Sequence, residues 1–332
     1  MTAEVVARAS APGKLFLTGE WAVLRGAPAL VAAVDRRATV EARLRDGAGA
    51  LVVHSLAEDR CTRLGPEATL AGDAAAVAAV LHVVRPQGEV EGAVTVDSRT
   101  FLDGDRKLGL GRSSATLAAT AAAVLACAGQ EDPDAVLATA LQANQVLQGG
   151  LGSGADVVAS VRGGLVEVRR WGEQLSVTAR QLPAGLAVLA AWTGESAPTG
   201  PLLRRFADGM ARPTQEAADA IRELEMAAED AATAVARGDA VALLRAADRC
   251  GGQIEKLGAA LDLPLVTPAL ARLVQAARRP GVAAKPSGAG AGDCAIALVA
   301  DADTAGAVRA AWRACGLPPL EVAIDSRGVT LG

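Results

Sequence analysis

Two hydrophobic patterns alternate along the chain. Short apolar or alternating runs punctuated by glycine predict strands over 5–9, 15–17, 29–44, 51–54 and 94–97. Longer runs of Ala, Leu, Val and Thr predict helices. One covers 73–85 with Asp73 as its N-cap, and another covers 114–127 with Gly129 just past its end. A third runs from 132 to about 148, where Asp132-Pro133-Asp134 places proline at the first helical position. Glycines break the pattern at 149–154, and strand character resumes over 164–170. A buried-looking strand follows at 186–192. Next come a long helix at 214–237, polar on one face and alanine-rich on the other, and helices at 240–257 and 268–278. Strands at 282–284, 294–300 and 321–324, with a helix at 304–315, complete an α+β pattern of two lobes around a cleft. Pro183 and Gly185 suggest the boundary, giving units 1–185 and 186–332.

Composition narrows the function classes. The 332 residues are 51% hydrophobic, so a large core is available, but aromatics are only 2% and tyrosine is absent. That argues against stacking on bases or sugars as a main mode of recognition. A net charge of −4 argues against a large nucleic-acid footprint. The five cysteines form no CxxC pair, and His54 and His82 lack ligand spacing, so a structural zinc site is not expected. The N-terminal stretch lacks a signal-peptide core, and no apolar run is long enough to span a membrane. The expectation is a cytoplasmic protein, monomer or homodimer, with a small-molecule partner and neither nucleic acid nor membrane.

Lysine usage is more informative. Of 33 Lys+Arg, only Lys14, Lys107, Lys256 and Lys285 are lysine. Three of them lie in or beside glycine-rich segments: APGK (11–14), KLGLG (107–111) and KPSGAGAG (285–292). A compact ammonium reaches a phosphate as a point charge where a forked guanidinium would crowd it. Lys14 and Lys107 are read as phosphate contacts. Lys285 is either a third contact or a strand end on the surface, and Lys256 is a solvated helix residue.

The stretch KLGLGRSSATL (107–117) is a glycine turn feeding a helix. Glycine lets the backbone approach closely, and the first helical N–H groups lack intrahelical partners. Together they make an anion site, or simply a tight turn before a helix. A Walker-type P-loop, GxxxxGK followed by serine or threonine, is absent.

Four segments together carry a resemblance: APGKLFLTGEWAVLRGAPAL (11–30), KLGLGRSSA (107–115), GGLGSGADVVAS (149–160) and KPSGAGAGDCAIAL (285–298). In order and rough spacing they resemble the GHMP kinases, and the likeness spans nearly the whole chain. Within that family the second motif, the Trp192-Thr193-Gly194 turn and KPSGAGAGDC are most similar to the branch that phosphorylates phosphomevalonate. The resemblance implies a two-lobed fold, the first lobe ribosomal-protein-S5-like and the second ferredoxin-like. It implies transfer of the ATP γ-phosphoryl group, with Mg²⁺, to the phosphate of 5-phosphomevalonate in the mevalonate route to isoprenoids. Alternatives are a mevalonate kinase, whose acceptor is a hydroxyl, or a non-catalytic ATP-binding sensor.

The resemblance also assigns residues. Gly109, Leu110, Gly111, Arg112, Ser113, Ser114 and Ala115 would hold the nucleotide, and Ser113 or Ser114 the magnesium. Arg112 stands where the family loop usually has its first serine, so either serine fits the metal-facing position. It also keeps the sensor alternative open, by plugging the phosphate site. Lys14, Lys107 and Asp156 would be catalytic. Asp156 orients or acts as base, or merely caps the helix that follows it. Lys14, Glu20, Ser153, Gly154, Ser287, Gly288, Ala289 and Gly290 would meet the acceptor, with Glu20 either touching it or bracing the first loop. Asp293 caps or orients the third loop. Trp192 is either core or part of a turn near the cleft. Arginines are expected on the acceptor's phosphate, without a choice among them.

Overall fold

The computed structural model describes residues 4–65, 70–85, 90–172, 174–196 and 199–332. The chain opens on a long strand, β1 (Val5–Thr18), where the sequence suggests two. The reason is Pro12-Gly13: proline cannot donate to the ladder, and the register with the next strand shifts between these residues, but pairing continues. A 3-10 turn (Ala22–Arg25) leads to β2 (Ala29–Asp46). The hairpin β3 (Leu51–Ser55) and β4 (Arg60–Leu64), helix α1 (Gly72–Val84) and strand β5 (Val90–Asp97) follow. A two-strand ribbon, β6 (Leu102–Asp103) and β7 (Arg106–Lys107), precedes helices α2 (Arg112–Cys127), α3 (Pro133–Gln148) and α4 (Ala155–Arg162). Strands β8 (Leu165–Trp171) and β9 (Gln174–Arg180) end the first unit.

In the large sheet β1, β2, β5, β3 and β4 are successive neighbours, and β8 and β9 branch from the start of β2. The four helices cover one face. Helix α2 is buried from Ser114 through Leu125, between the sheet and α1, α3 and α4. Its alanines explain this: a small side chain lets helix and sheet backbones approach on every side without losing helix propensity. Asp132 caps α3, accepting from the backbone N–H groups of Asp134 and Ala135, as its sequence suggests.

The second unit contains β10 (Ala187–Trp192), α5 (Thr199–Ala211), α6 (Gln215–Arg237), α7 (Ala240–Ala260), α8 (Pro268–Ala277), β11 (Val282–Ser287), β12 (Cys294–Val299), α9 (Ala302–Ala314) and β13 (Pro319–Leu320). Its antiparallel sheet has the order β11-β12-β10-β13. Leu270, Leu273, Val308 and Trp312 of α8 and α9 pack on one face. Residues of α6 and α7 join the other face to Leu15 and Leu17 of β1. A last short strand, β14 (Thr330–Leu331), returns to pair with β1. The strand expected at 321–324 is therefore misplaced. Pairing with β10 falls at Pro319–Leu320, and Ile324 makes only an isolated bridge to Val34. Among the described residues no helix is long and apolar enough to cross a membrane.

Candidate active site

The three glycine segments and the β1 turn converge on one cleft of about 430 Å³ between the units. Gly109 and Gly111 adopt positive φ, 72° and 84°, and neither position has room for a side chain. A Cβ on Gly109 would lie 2.4 Å from Cβ of Asp293, and one on Gly111 would lie 2.7 Å from Cγ of Lys14. Gly111 is also the N-cap of α2, and no side chain caps the first turn. The N–H groups of that turn are left without a side-chain cap, an arrangement that suits an anion.

The two serines separate cleanly. Ser114 is buried; its hydroxyl donates to the Gly111 carbonyl at 2.9 Å and bonds the Ser160 hydroxyl at 3.2 Å. It is spent on the loop. Ser113 is exposed at the cleft, which Ser114 also lines, so Ser113 carries the more open of the two hydroxyls. Leu110 and Ala115 are buried and do not line the cleft. Leu110 acts through its carbonyl, which accepts from the Lys14 N–H at 2.7 Å.

Arg112 does not plug the phosphate site. Its guanidinium turns aside to bond Glu58 and Asp73, each at 2.7 Å, and Nε donates to Ser98 Oγ at 2.8 Å. Two carboxylates pair with it, so its side chain anchors the helix start while the residue still lines the cleft. Asp73 is not the cap of α1, which is Ala71. It is a buried hub that also accepts from Ser55 at 2.7 Å and Ser98 at 3.0 Å. Sequence reasoning missed this role because a helix-start aspartate has the same local signature in either case.

Lys14 projects from β1 with Nζ 5.2 Å from the centre of the Phe16 ring. A Cβ on Gly288 would lie 3.4 Å from that Nζ. Lys14 therefore stands between the first and third loops, and it makes no ion pair among the described residues. Lys107 lines the cleft from the exposed end of β7. Asp156, half-buried, also lines it. It is the second residue of α4, after the N-cap Gly154, so the capping alternative is overturned. Ser153 faces the cleft beside it, while Gly154 packs behind, where a Cβ would meet Leu141 at 2.6 Å.

The third segment behaves differently from its reading. Lys285 is fully buried, neither a surface strand end nor a phosphate contact. It is ion-paired with Glu20 and donates to the Pro286 carbonyl at 2.7 Å. The same Glu20 oxygen accepts from the Gly288 N–H at 3.4 Å. Ser287 is also withdrawn from the cleft: its hydroxyl accepts from Phe16 N–H at 2.9 Å and donates to Phe16 C=O at 3.1 Å. These bonds seal the start of the third loop onto β1. Gly288 and Ala289 line the cleft, whereas Gly290 packs against the Leu265 carbonyl. Behind the loop, Thr193 donates its N–H and its hydroxyl to the Asp293 carbonyl, both at 2.9 Å. Trp192 itself is buried, with the Arg106 guanidinium 5.6 Å from its ring centre. Core and turn are thus both true of Trp192-Thr193-Gly194.

Lys14, Lys107 and Arg112 are the cations among the described lining residues. The arginines expected for an acceptor phosphate are not among them, apart from the neutralised Arg112. Buried Cys294 donates to the Leu108 carbonyl at 2.9 Å, and burial pushes its thiol far up. Burial likewise pushes the Cys250 thiol up to about 12, so neither is a nucleophile at neutral pH. No metal-binding cluster of His, Cys, Asp and Glu is seen among the described residues.

Comparison with known proteins agrees with this arrangement. The family models described as GHMP kinases N terminal domain and GHMP kinases C terminal match residues 74–164 and 231–316. The phosphomevalonate kinase of Streptomyces sp. (strain CL190) is 34% identical, covering 96% of this chain and 97% of that protein. The mevalonate kinase of Aeropyrum pernix is 32% identical over 88% of each. The structure of Streptococcus pneumoniae phosphomevalonate kinase in complex with phosphomevalonate and AMPPNP superposes with a TM-score of 0.79, at 20% identity, covering 96% of this chain and 99% of that one. On the two family models, and on a relative more than 30% identical along almost its whole length, the chain belongs to the GHMP kinase family.

Proposed function

We propose that this protein transfers the γ-phosphoryl group of ATP to the phosphate of 5-phosphomevalonate, giving the diphosphate and ADP. The observation that carries this reading is the full-length likeness to a phosphomevalonate kinase, closer in identity than the mevalonate kinases compared. The cleft's chemistry supports it. Phosphoryl transfer asks mainly for positioning and charge neutralisation. The first loop and the uncapped start of α2 suit a triphosphate, because only glycine fits at 109 and 111. Lys14 and Lys107, free of ion pairs among the described residues, would offset charge on the transferring group.

Magnesium fits the same place. It takes one or two protein oxygens beside phosphate oxygens and water, and Ser113 or Ser114 offers a hydroxyl on the cleft wall. When bound it neutralises phosphate charge. Asp156 has a supporting role here, since a phosphate monoester with a second pKa of about 6 is already dianionic at neutral pH and needs little base. The sensor alternative loses its argument, because Arg112 is held away by Glu58 and Asp73. A cytoplasmic location goes with this activity.

The test is ADP release with Mg-ATP and, separately, mevalonate, 5-phosphomevalonate, 5-diphosphomevalonate and homoserine. Turnover with 5-phosphomevalonate alone is expected. Turnover with mevalonate in its place would overturn the acceptor and make Asp156 the general base.

A further inference from the structure

The start of α2 is tied to the start of α1 by buried charge. Arg112 opens α2, and the Ala115 N–H makes the first helical bond, to the Gly111 carbonyl at 3.1 Å. The N–H groups of Arg112, Ser113 and Ser114 precede it and are the ones an anion would meet. One nitrogen of Arg112, Nη2, reaches both Asp73 Oδ2 and Glu58 Oε1 at 2.7 Å. The side chains of Arg112 and Asp73 are only 10% and 3% exposed, so water does little to weaken this pair.

Asp73 is gripped from several sides. Ser55 and Ser98 donate their hydroxyls to its Oδ2 at 2.7 and 3.0 Å, and Thr116 donates to Oδ1 at 3.4 Å. Three hydroxyl donors suit a carboxylate, which only accepts. Glu58 reaches in from the turn between β3 and β4. Its Oε1 also accepts from the Asp73 N–H at 3.3 Å, and its own N–H donates to Ser55 Oγ at 3.2 Å. A Cβ on Gly72 would lie 1.9 Å from that Oε1, so glycine at 72 is what lets Glu58 come so close. This network sits at the cleft: Gly72, Asp73 and Arg112 all line it beside the glycine loop.

A carboxylate is an adverse neighbour for a site that receives a triphosphate. Salt screens a buried charge poorly, and removing one partner of a buried pair leaves the other uncompensated. We propose that Arg112 is a positioning residue for the nucleotide that acts through charge. It holds the first turn of α2 on Asp73, and it cancels the repulsion that Asp73 would otherwise exert on the ATP phosphates. Neither side chain needs to touch the nucleotide. The inference rests on ATP as the phosphoryl donor and not on which acceptor is used.

Equilibrium binding of Mg-ATP, measured by calorimetry without acceptor, tests it. Arg112→Met removes the cation and keeps an unbranched apolar stem, and the dissociation constant should rise about tenfold or more. Adding Asp73→Asn to that variant should bring it back to within about threefold of wild type, because Asn carries no charge and keeps an oxygen for Ser55 and Ser98. Both proteins lack the ion pair. A purely structural anchor therefore predicts that they bind equally weakly, and that result would overturn the proposal, as would wild-type affinity in Arg112→Met. Where Arg112→Met fails to fold, Asp73→Asn alone answers the question. Glu58 still holds Arg112 there, so Mg-ATP should bind at least as tightly as to wild type, and weaker binding would overturn the role of charge. Failure of the acceptor reading looks different, since it leaves these nucleotide affinities as stated and shows only in which compound is turned over.

Discussion

At the scale of single residues, the division of labour in the cleft follows from which charges are already spent. Glu20 and Lys285 spend theirs on each other, and Arg112 on Glu58 and Asp73. Lys14 and Asp156 have no ion pair among the described residues, so their charges are available to substrates. For a phosphate acceptor the two should not matter equally. Repulsion between two anions is the main obstacle, and the acceptor oxygen is already deprotonated above its second pKa of about 6. Lys14→Met should therefore lower kcat by about a hundredfold or more, the scale of a lost charge-stabilising donor. Asp156→Asn should lower it by about tenfold or less, well under the usual contribution of a general base. Steady-state kinetics with Mg-ATP and 5-phosphomevalonate measures both. A larger loss from Asp156→Asn than from Lys14→Met would contradict the phosphate-acceptor assignment.

At the scale of elements, the third loop stores strain that its sequence only partly advertises. Gly288, Gly290 and Gly292 take positive φ without penalty, but Ala291 at φ 59° and Asp293 at φ 55° do so as residues with a β-carbon. The Ala291 N–H is fixed on the Leu265 carbonyl at 3.1 Å, so the loop cannot relax around it. Ala291→Gly should stabilise the protein by about 0.5–1 kcal/mol, the left-handed penalty less the extra chain entropy of glycine. Thermal unfolding monitored by circular dichroism reads this, and a lower melting temperature would mean that the Cβ packs favourably. The glycine strings of all three loops were legible in the sequence because glycine requirements are local. The partners of those loops were not. Lys285 and Glu20 lie 265 positions apart, and no periodicity links them. Helix α5 went unread because Gly200, Pro201 and Gly209 interrupt its pattern, although Leu202, Leu203 and Phe206 bury its apolar face. Strands β4 and β9 went unread because their exposed, charged positions carry little hydrophobic signal.

At the scale of the whole molecule, the chain's end returns from the second sheet to the first and is fastened there by one arginine. Arg37 Nη1 bonds Asp325 at 2.6 Å, its Nε bonds Ser10 Oγ at 2.7 Å, and its Nη2 bonds the Gly328 carbonyl at 2.8 Å. The backbone joins in: Asp325 N–H donates to the Ala33 carbonyl at 3.0 Å, and Gly164 N–H donates to the Asp325 carbonyl at 2.7 Å. The fastening lies beside β1, the strand that carries Lys14. Burial works to raise the Asp325 carboxyl, but hydrogen bonds from Arg37 and from the Arg327 N–H, together with their charges, outweigh it and hold it below the usual carboxylate range. A carboxyl depressed in the folded state contributes stability that is fully present above its unfolded pKa and is lost as pH falls through its folded one. Asp325→Asn should therefore cost about 2 kcal/mol at neutral pH, the worth of a charged hydrogen bond. The deficit should shrink below about pH 4, where wild type begins to lose the same charge. Melting temperatures of both proteins between neutral pH and about pH 3 measure the gap. A gap that stays constant as the medium is acidified would mean that the tail is held by its backbone bonds to Ala33 and Gly164, with the Asp325 charge contributing nothing that protonation can remove.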